Sequence, residues 1–283
     1  MKTKPVIAFT CDGTGGHVYP VIALAQELSD HPSLFFISKD RPDAQILPKY
    51  EFETIGLTIK KLNPFTWLKA IKIVRKQLKD QQVTLLISAG GFFTMPVIIA
   101  AKLSGVPVVL LEQNVIPGRV NRLLQSLATK IYISFEESKT YFSSKQTQVL
   151  GNPVRKNFFE DDIFNQIKHE SFNSPMLLVF GGSQGAQAIN SFISDHYPEF
   201  EKEGVCLIHV TGQDWFDKTY PGRPILVSKT NGRVKRMVLP YIEKMDFLYE
   251  KADVVMCRAG ATSIAELLQF NKPGRSEEHT SEL

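Results

Sequence analysis

The stretch MLLVFGGSQGAQAIN, Met176 to Asn190, decides the fold. An apolar run from Met176 to Phe180 stops at Gly181-Gly182-Ser183-Gln184-Gly185, after which small residues and Ile189 resume at helical spacing. That is the pattern of a strand, a glycine loop and a helix. Glycines let the backbone approach an anion closely, and the unpaired N–H groups of a helix's first turn point at it with the macrodipole behind them. Ser183, Gln184, Gly185 and Ala186 are therefore candidates to hold a phosphate. A glycine turn that serves only tight strand-to-helix packing has the same local pattern.

The N-terminus echoes it. Val6 to Thr10 is a short apolar strand, followed by Asp12-Gly13-Thr14-Gly15-Gly16-His17 and a helix with Val18, Ile22, Ala25 and Leu28 along one face. Two halves that each open on a strand and a glycine turn predict two nucleotide-binding-like α/β domains facing a cleft. Neither loop is G-x-G-x-x-G or ends in Gly-Lys-Ser/Thr, which argues against a dehydrogenase or an NTPase.

At 283 residues the chain fits two domains of ordinary size, and 43% hydrophobic with 22% charged residues is the balance of a globular protein. Cys11, Cys206 and Cys257 are widely spaced and share no C-x-x-C pair, so neither a disulfide framework nor a zinc site is indicated. The first apolar run ends before Asp12, too soon for a signal peptide. Met95 to Leu111 is cut by Lys102, Ser104, Gly105 and Pro107, and reads as a helix plus a buried strand. A cytosolic chain is expected. Residues 1–157 hold 20 Lys and Arg against 11 Asp and Glu, or +9, whereas residues 158–283 hold 13 against 18, or −5. The first half is built to meet something anionic.

Further strands are predicted at Leu34 to Ser38, Val83 to Ile87 and Val108 to Leu111, with helices from Asn63-Pro64 through Lys79 and over Pro96 to Leu103. Ile46 to Thr58 reads as mixed and turn-rich. This alternation predicts a parallel doubly wound sheet with ligands at the strands' carboxyl ends. The pattern breaks near Gly151-Asn152-Pro153-Val154-Arg155, giving domains at 1–157 and 158–274, the latter with strands at Val205 to Thr211, Arg236 to Pro240 and Val254 to Met256. Residues 275–283, RSEEHTSEL, fit nothing before them and match one reading frame of a sequencing adapter. They are expected to be an artefactual tail on an incomplete second domain that lacks the strand after Pro273.

Asp12-Gly-Thr-Gly-Gly-His17-Val-Tyr-Pro20, Gly90-Gly91-Phe92, Glu112-Gln113-Asn114 with Pro117-Gly118 and Asn121-Arg122, Gly151-Asn-Pro-Val-Arg155, Gly181-Gly-Ser-Gln-Gly-Ala186 and Arg258-Ala-Gly-Ala-Thr-Ser-Ile-Ala-Glu266 stand in one order along the chain. In that order they resemble the MurG family of GT-B glycosyltransferases, from about Val6 to Pro273. The resemblance implies inverting transfer of GlcNAc from UDP-GlcNAc to the 4-hydroxyl of undecaprenyl-pyrophosphoryl-MurNAc-pentapeptide in peptidoglycan synthesis. It implies catalytic roles for His17, Glu112 and Asn121, with His17 near the acceptor pyrophosphate as anion binder or base. It implies substrate contacts at Thr14, Gly15, Gly16, Asn114, Arg155, Ser183 to Ala186, Arg258 and Glu266, with Glu266 taking the ribose hydroxyls. For several of these residues the plain readings are a helix-start histidine, a linker surface charge at Arg155 and a solvent-facing glutamate at Glu266. No Asp-x-Asp pair is present to carry a cation, so no metal or cofactor is expected. Asp12 stands where the family has glycine, and Leu111 where it has histidine.

A membrane-borne acceptor requires a docking surface. Lys60 to Lys79 carries seven basic residues and no acid, interleaved with Leu62, Phe65, Trp67 and Leu68. Such a segment suits anionic lipids of the inner leaflet, and the protein is expected on the cytoplasmic face of the membrane as a peripheral enzyme. The plain reading is that Leu68, Ile71 and Leu78 face the sheet, and both hold at once if the helix body packs in the core and its start meets lipid. Other cell-wall synthesis proteins are expected partners, and nucleic acid is not. Rival functions are another UDP-sugar GT-B enzyme, such as a glycolipid glucosyltransferase or a UDP-GlcNAc epimerase, and an inactive membrane-associated nucleotide-sugar binder.

Overall fold

The computed structural model describes residues 4–13, 15–40, 43–60, 63–143, 146–155 and 160–276. Thr14, Leu62 and the tail residues 277–283 lie outside the described residues. The chain divides into two compact units, residues 1–156 and 157–283.

The first unit runs β1 (Val6–Thr10), α1 (Gly15–Glu27), β2 (Ser33–Ser38), α2 (Asp43–Ile46), β3 (Glu53–Leu57), α3 (Pro64–Asp80), β4 (Val83–Ser88), α4 (Thr94–Leu103), β5 (Val108–Glu112), α5 (Arg119–Leu124), β6 (Lys130–Ile133) and β7 (Thr147–Val149). Its seven strands lie in the order β3-β2-β1-β4-β5-β6-β7, and every pairing is parallel. Alternate residues of each strand reach opposite faces. Ile7, Phe9, Phe35 and Ile87 pack under Val18 and Ile22 of α1, while Ala8, Leu34, Phe36 and Leu86 pack under Val74 of α3 and Val97 of α4. Helix α3 starts where Asn63 Oδ1 accepts the Phe65 N–H at 3.0 Å and Pro64 fills the first helical position. Strand order reverses between β1 and β4, so the loops after Thr10 and Ser88 flank the switch point.

The second unit runs α6 (Asp162–Ile167), β8 (Met176–Phe180), α7 (Gln187–Asp195), α8 (Tyr197–Lys202), β9 (Cys206–Val210), α9 (Gln213–Thr219), β10 (Leu226–Thr230), β11 (Arg233–Leu239), α10 (Met245–Lys251), β12 (Val254–Cys257), α11 (Ala261–Gln269) and β13 (Gly274–Ser276). The strand order is β10-β11-β9-β8-β12-β13, with only β10 antiparallel to its neighbour. Here the reversal falls between β8 and β12, placing the loops after Phe180 and Cys257 side by side.

Two readings are filled in and one expectation is corrected. The turn-rich segment 46–58 contains edge strand β3. The second sheet is mixed, because Asn231 and Gly232 take positive φ (52° and 77°) and fold β10 back on β11. The strand thought missing after Pro273 is present as β13, where Arg275 and Ser276 pair with Met256 and Cys257.

Candidate active site

The second unit places a glycine loop and a helix N-terminus at its switch point. Helix α7 opens at Ala186 with no side-chain cap on its first-turn N–H groups, and Gly185 N–H turns back to Gly182 O at 2.9 Å. Ser183 and Ala186 are half-buried and Gln184 is exposed. The glycines also answer to packing. A Cβ on Gly185 (φ +74°) would sit 1.9 Å from Thr211 O, and one on Gly212 (φ +87°) 2.5 Å from Gln184 O. The loop therefore rests peptide on peptide against the end of β9.

Beside it, Arg258 is exposed after β12, and α11 starts at Gly260, also without a side-chain cap. Glu266 is not the solvent-facing glutamate of the plain reading. It is 6% exposed, and its Oε2 accepts the Tyr249 hydroxyl at 2.8 Å. Burial, then the charge of Glu266, pushes the Cys257 thiol up to about 11. Nothing in the sequence pointed to Tyr249, which comes from α10.

In the first unit, α1 starts directly at Gly15-Gly16. His17 Nδ1 lies 2.8 Å from Ala89 O, and since a carbonyl can only accept, Nδ1 carries the proton. The neutral ring then has Nε2 as its proton acceptor. Asp12, expected to set a carboxylate beside an anion site, is buried, and its Oδ2 accepts the Phe93 N–H at 2.9 Å, tying the end of β1 to the loop after β4. Leu111 is buried in the core under α1.

Glu112 and Asn121, both 2% exposed, form a buried hub. The Glu112 carboxylate accepts the Asn114 N–H (3.0 Å), Asn114 Nδ2 (3.3 Å), the Gly118 N–H (3.0 Å) and Asn121 Nδ2 (2.9 Å), while Asn121 Nδ2 also reaches Leu111 O at 2.9 Å. Ser138 Oγ donates to Asn114 O and Val115 O from the other side. These bonds shape the loop over residues 113–118 and leave Asn114 exposed on it.

Arg155 is no surface charge. At 3% exposure it stacks 3.7 Å over the Tyr19 ring and donates to Tyr50 Oη at 3.0 Å, linking the end of the first unit to α1. Among the described residues no cluster of three or more His, Cys, Asp or Glu is placed to hold a metal ion, and no helix is long and apolar enough to cross a membrane.

On α3 the buried face is Ala70, Val74 and Leu78, at helical spacing, so Leu78 and the half-buried Ile71 pack on the core as one reading had it, whereas Leu68 does not. Phe65 and Leu68 are 78% and 64% exposed. Trp67 is half-buried, edge-on to Phe92 with ring centroids 5.2 Å apart. Leu68, Ile71 and Leu103 line a groove with Lys72, Arg75, Lys76 and Lys79.

Two Rossmann-like α/β units, one with a glycine loop before a helix N-terminus at its switch point, define the GT-B class of glycosyltransferases. The glycosyltransferase family 28 N-terminal domain matches residues 7–133 and the family's C-terminal domain residues 176–274. The UDP-N-acetylglucosamine–N-acetylmuramyl-(pentapeptide) pyrophosphoryl-undecaprenol N-acetylglucosamine transferase of Lawsonia intracellularis is 34% identical over 284 residues, covering 94% of this chain and 75% of its own length. The crystal structure of Acinetobacter baumannii MurG matches with a TM-score of 0.66 at 26% identity, over 93% of this chain and 74% of that one. A UDP-GlcNAc 2-epimerase from Neisseria meningitidis reaches the same TM-score at 15% identity, over 98% of this chain and 83% of that one, a likeness of fold alone. The chain belongs to the MurG family of N-acetylglucosamine transferases.

Proposed function

We propose that this protein moves GlcNAc from UDP-GlcNAc to the 4-hydroxyl of lipid-linked MurNAc-pentapeptide, the transfer its relatives are named for. The observation that carries the reading is the uncapped α7 start behind the Gly181–Ala186 loop at the switch point of the second sheet. Its N–H groups and dipole meet the charge that grows on the departing diphosphate. Arg258 and Glu266 flank it, the carboxylate taking ribose hydroxyls. In the first unit His17 Nε2 accepts the proton of the attacking hydroxyl, with Nδ1 held on Ala89 O fixing the ring. Gly15 and Gly16 face the acceptor pyrophosphate, and the Glu112–Asn121 hub holds the loop that carries Asn114. Because N–H groups and a helix dipole neutralise the diphosphate, the reading calls for no metal ion.

The enzyme works on the cytoplasmic face of the membrane. Phe65, Leu68 and the basic groove beside them dock on anionic lipid. The reaction is tested with radiolabelled UDP-GlcNAc and lipid-linked acceptor in detergent. Label in the lipid fraction supports transfer, conversion of UDP-GlcNAc without acceptor supports an epimerase, and binding with no turnover supports an inactive binder.

A further inference from the structure

The second unit contains a buried polar chain that the transfer chemistry does not use. His209 on β9 is wholly buried. Its Nδ1 lies 2.9 Å from the Tyr197 hydroxyl and its Nε2 3.0 Å from Asn190 Oδ1, and Asn190 Nδ2 donates to Thr211 O at 2.8 Å. Thr211 O and the Asn190 amide oxygen can only accept, so the direction is determined: Tyr197 Oη donates to His209 Nδ1, His209 Nε2 to Asn190 Oδ1, and Asn190 Nδ2 to Thr211 O. Burial keeps the imidazole neutral, its pKa pushed down to about 3, and holds the Tyr197 phenol well above its usual range. Neither the imidazole nor the phenol titrates at neutral pH.

The last acceptor is the peptide against which the phosphate loop lies. Thr211 O is the atom a Gly185 Cβ would strike, and Gly212 meets Gln184 O. Thr211 is pinned on its other side by its N–H, which donates to Leu239 O at 2.9 Å. Asn190 itself sits in the first turns of α7, donating its N–H to Ala186 O at 2.9 Å. One side chain thus ties the start of the anion-facing helix to the strand end that backs the loop.

We infer that Asn190, oriented by His209 and Tyr197, is a positioning residue that sets the loop's N–H groups in register with a nucleotide's diphosphate. This rests on the reading of the loop as a diphosphate seat. A positioning role acts on the diphosphate and spares the base and ribose, so the discriminating quantity is the ratio of UDP to uridine affinity. A merely structural role lowers the melting temperature and leaves that ratio alone.

Calorimetry on the full chain with UDP and with uridine tests it. His209→Leu is expected to weaken UDP binding about tenfold and uridine binding less than about twofold, from loss of the hydrogen bonds that orient Asn190. His209→Gln, which can donate to Asn190 and accept from Tyr197, should restore most of the UDP affinity. If His209→Leu does not fold, Tyr197→Phe removes a single hydroxyl and is expected to give a smaller loss, still confined to UDP. An unchanged UDP-to-uridine ratio in the folded variants overturns the inference while leaving the seat intact. A wild-type chain that binds UDP no better than uridine overturns the seat, and this inference with it.

Discussion

His17 and Ala89 are joined across the switch point of the first sheet by a 2.8 Å bond that fixes the imidazole tautomer. The bond orients a histidine at a helix start with Nε2 as the nitrogen that the proposed transfer needs as its base. His17→Ala should lower kcat by about 100-fold or more, the ordinary worth of a positioned base, with UDP-GlcNAc affinity unchanged. Steady-state transfer assays beside donor calorimetry check this, and a variant with near-normal turnover would exclude His17 as the base.

Glu266→Ala should weaken UDP-GlcNAc binding by roughly 1–3 kcal/mol, because the hydrogen bonds that the buried carboxylate accepts from the ribose hydroxyls in the proposed complex are lost. Tyr249→Phe, which removes the bond orienting Glu266, should cost less. Equal affinity of the Glu266 variant and the parent, measured by calorimetry, would remove Glu266 from the donor site.

Phe65→Ala with Leu68→Ala should reduce sedimentation with anionic vesicles while sparing UDP-GlcNAc binding, since both side chains project from the first unit. Trp67→Ala should behave differently: its ring packs against Phe92, so the expected effect is a lower melting temperature. Vesicle binding that survives the double substitution would refute docking through α3.

His209 also gives a pH prediction. Its folded pKa, about 3, lies below the unfolded value of 6.5, so the unfolded chain binds a proton that the folded chain refuses. The contribution is fully present above about pH 6.5 and is lost progressively as pH falls toward 3. Between pH 7 and pH 5 this group should cost the second unit about 2 kcal/mol, at about 1.4 kcal/mol per pH unit below the unfolded value. Urea denaturation of the parent and of His209→Gln at both pH values should show a steeper loss in the parent.

Transfer should persist in EDTA, as expected where backbone N–H groups and a helix dipole carry the diphosphate's charge. Loss of activity on chelation, restored by magnesium, would show that a cation shares that load.

The glycine loops and the buried strands were legible in the sequence because central parallel strands are apolar on both faces and stop at glycine. Edge strands carry no such signal: β3 and β10 are only partly buried, and their residues alternate too weakly to stand out. The β10–β11 hairpin did leave a mark, Asn231-Gly232, the usual two-residue hairpin turn. Partners of the site residues were out of reach. Ala89 lies 72 residues from His17, Tyr50 lies 105 from Arg155, and only the sheet order brings them together.

The contact of Gln184–Gly185 with Thr211–Gly212 has a consequence for how this protein can vary. Two bare peptides touch there, with no side chain between them to trim or enlarge. Substitution at these two glycines can therefore break the contact but not trim it by degrees, and graded change has to come from the side chains behind the loop, such as Asn190 and His209.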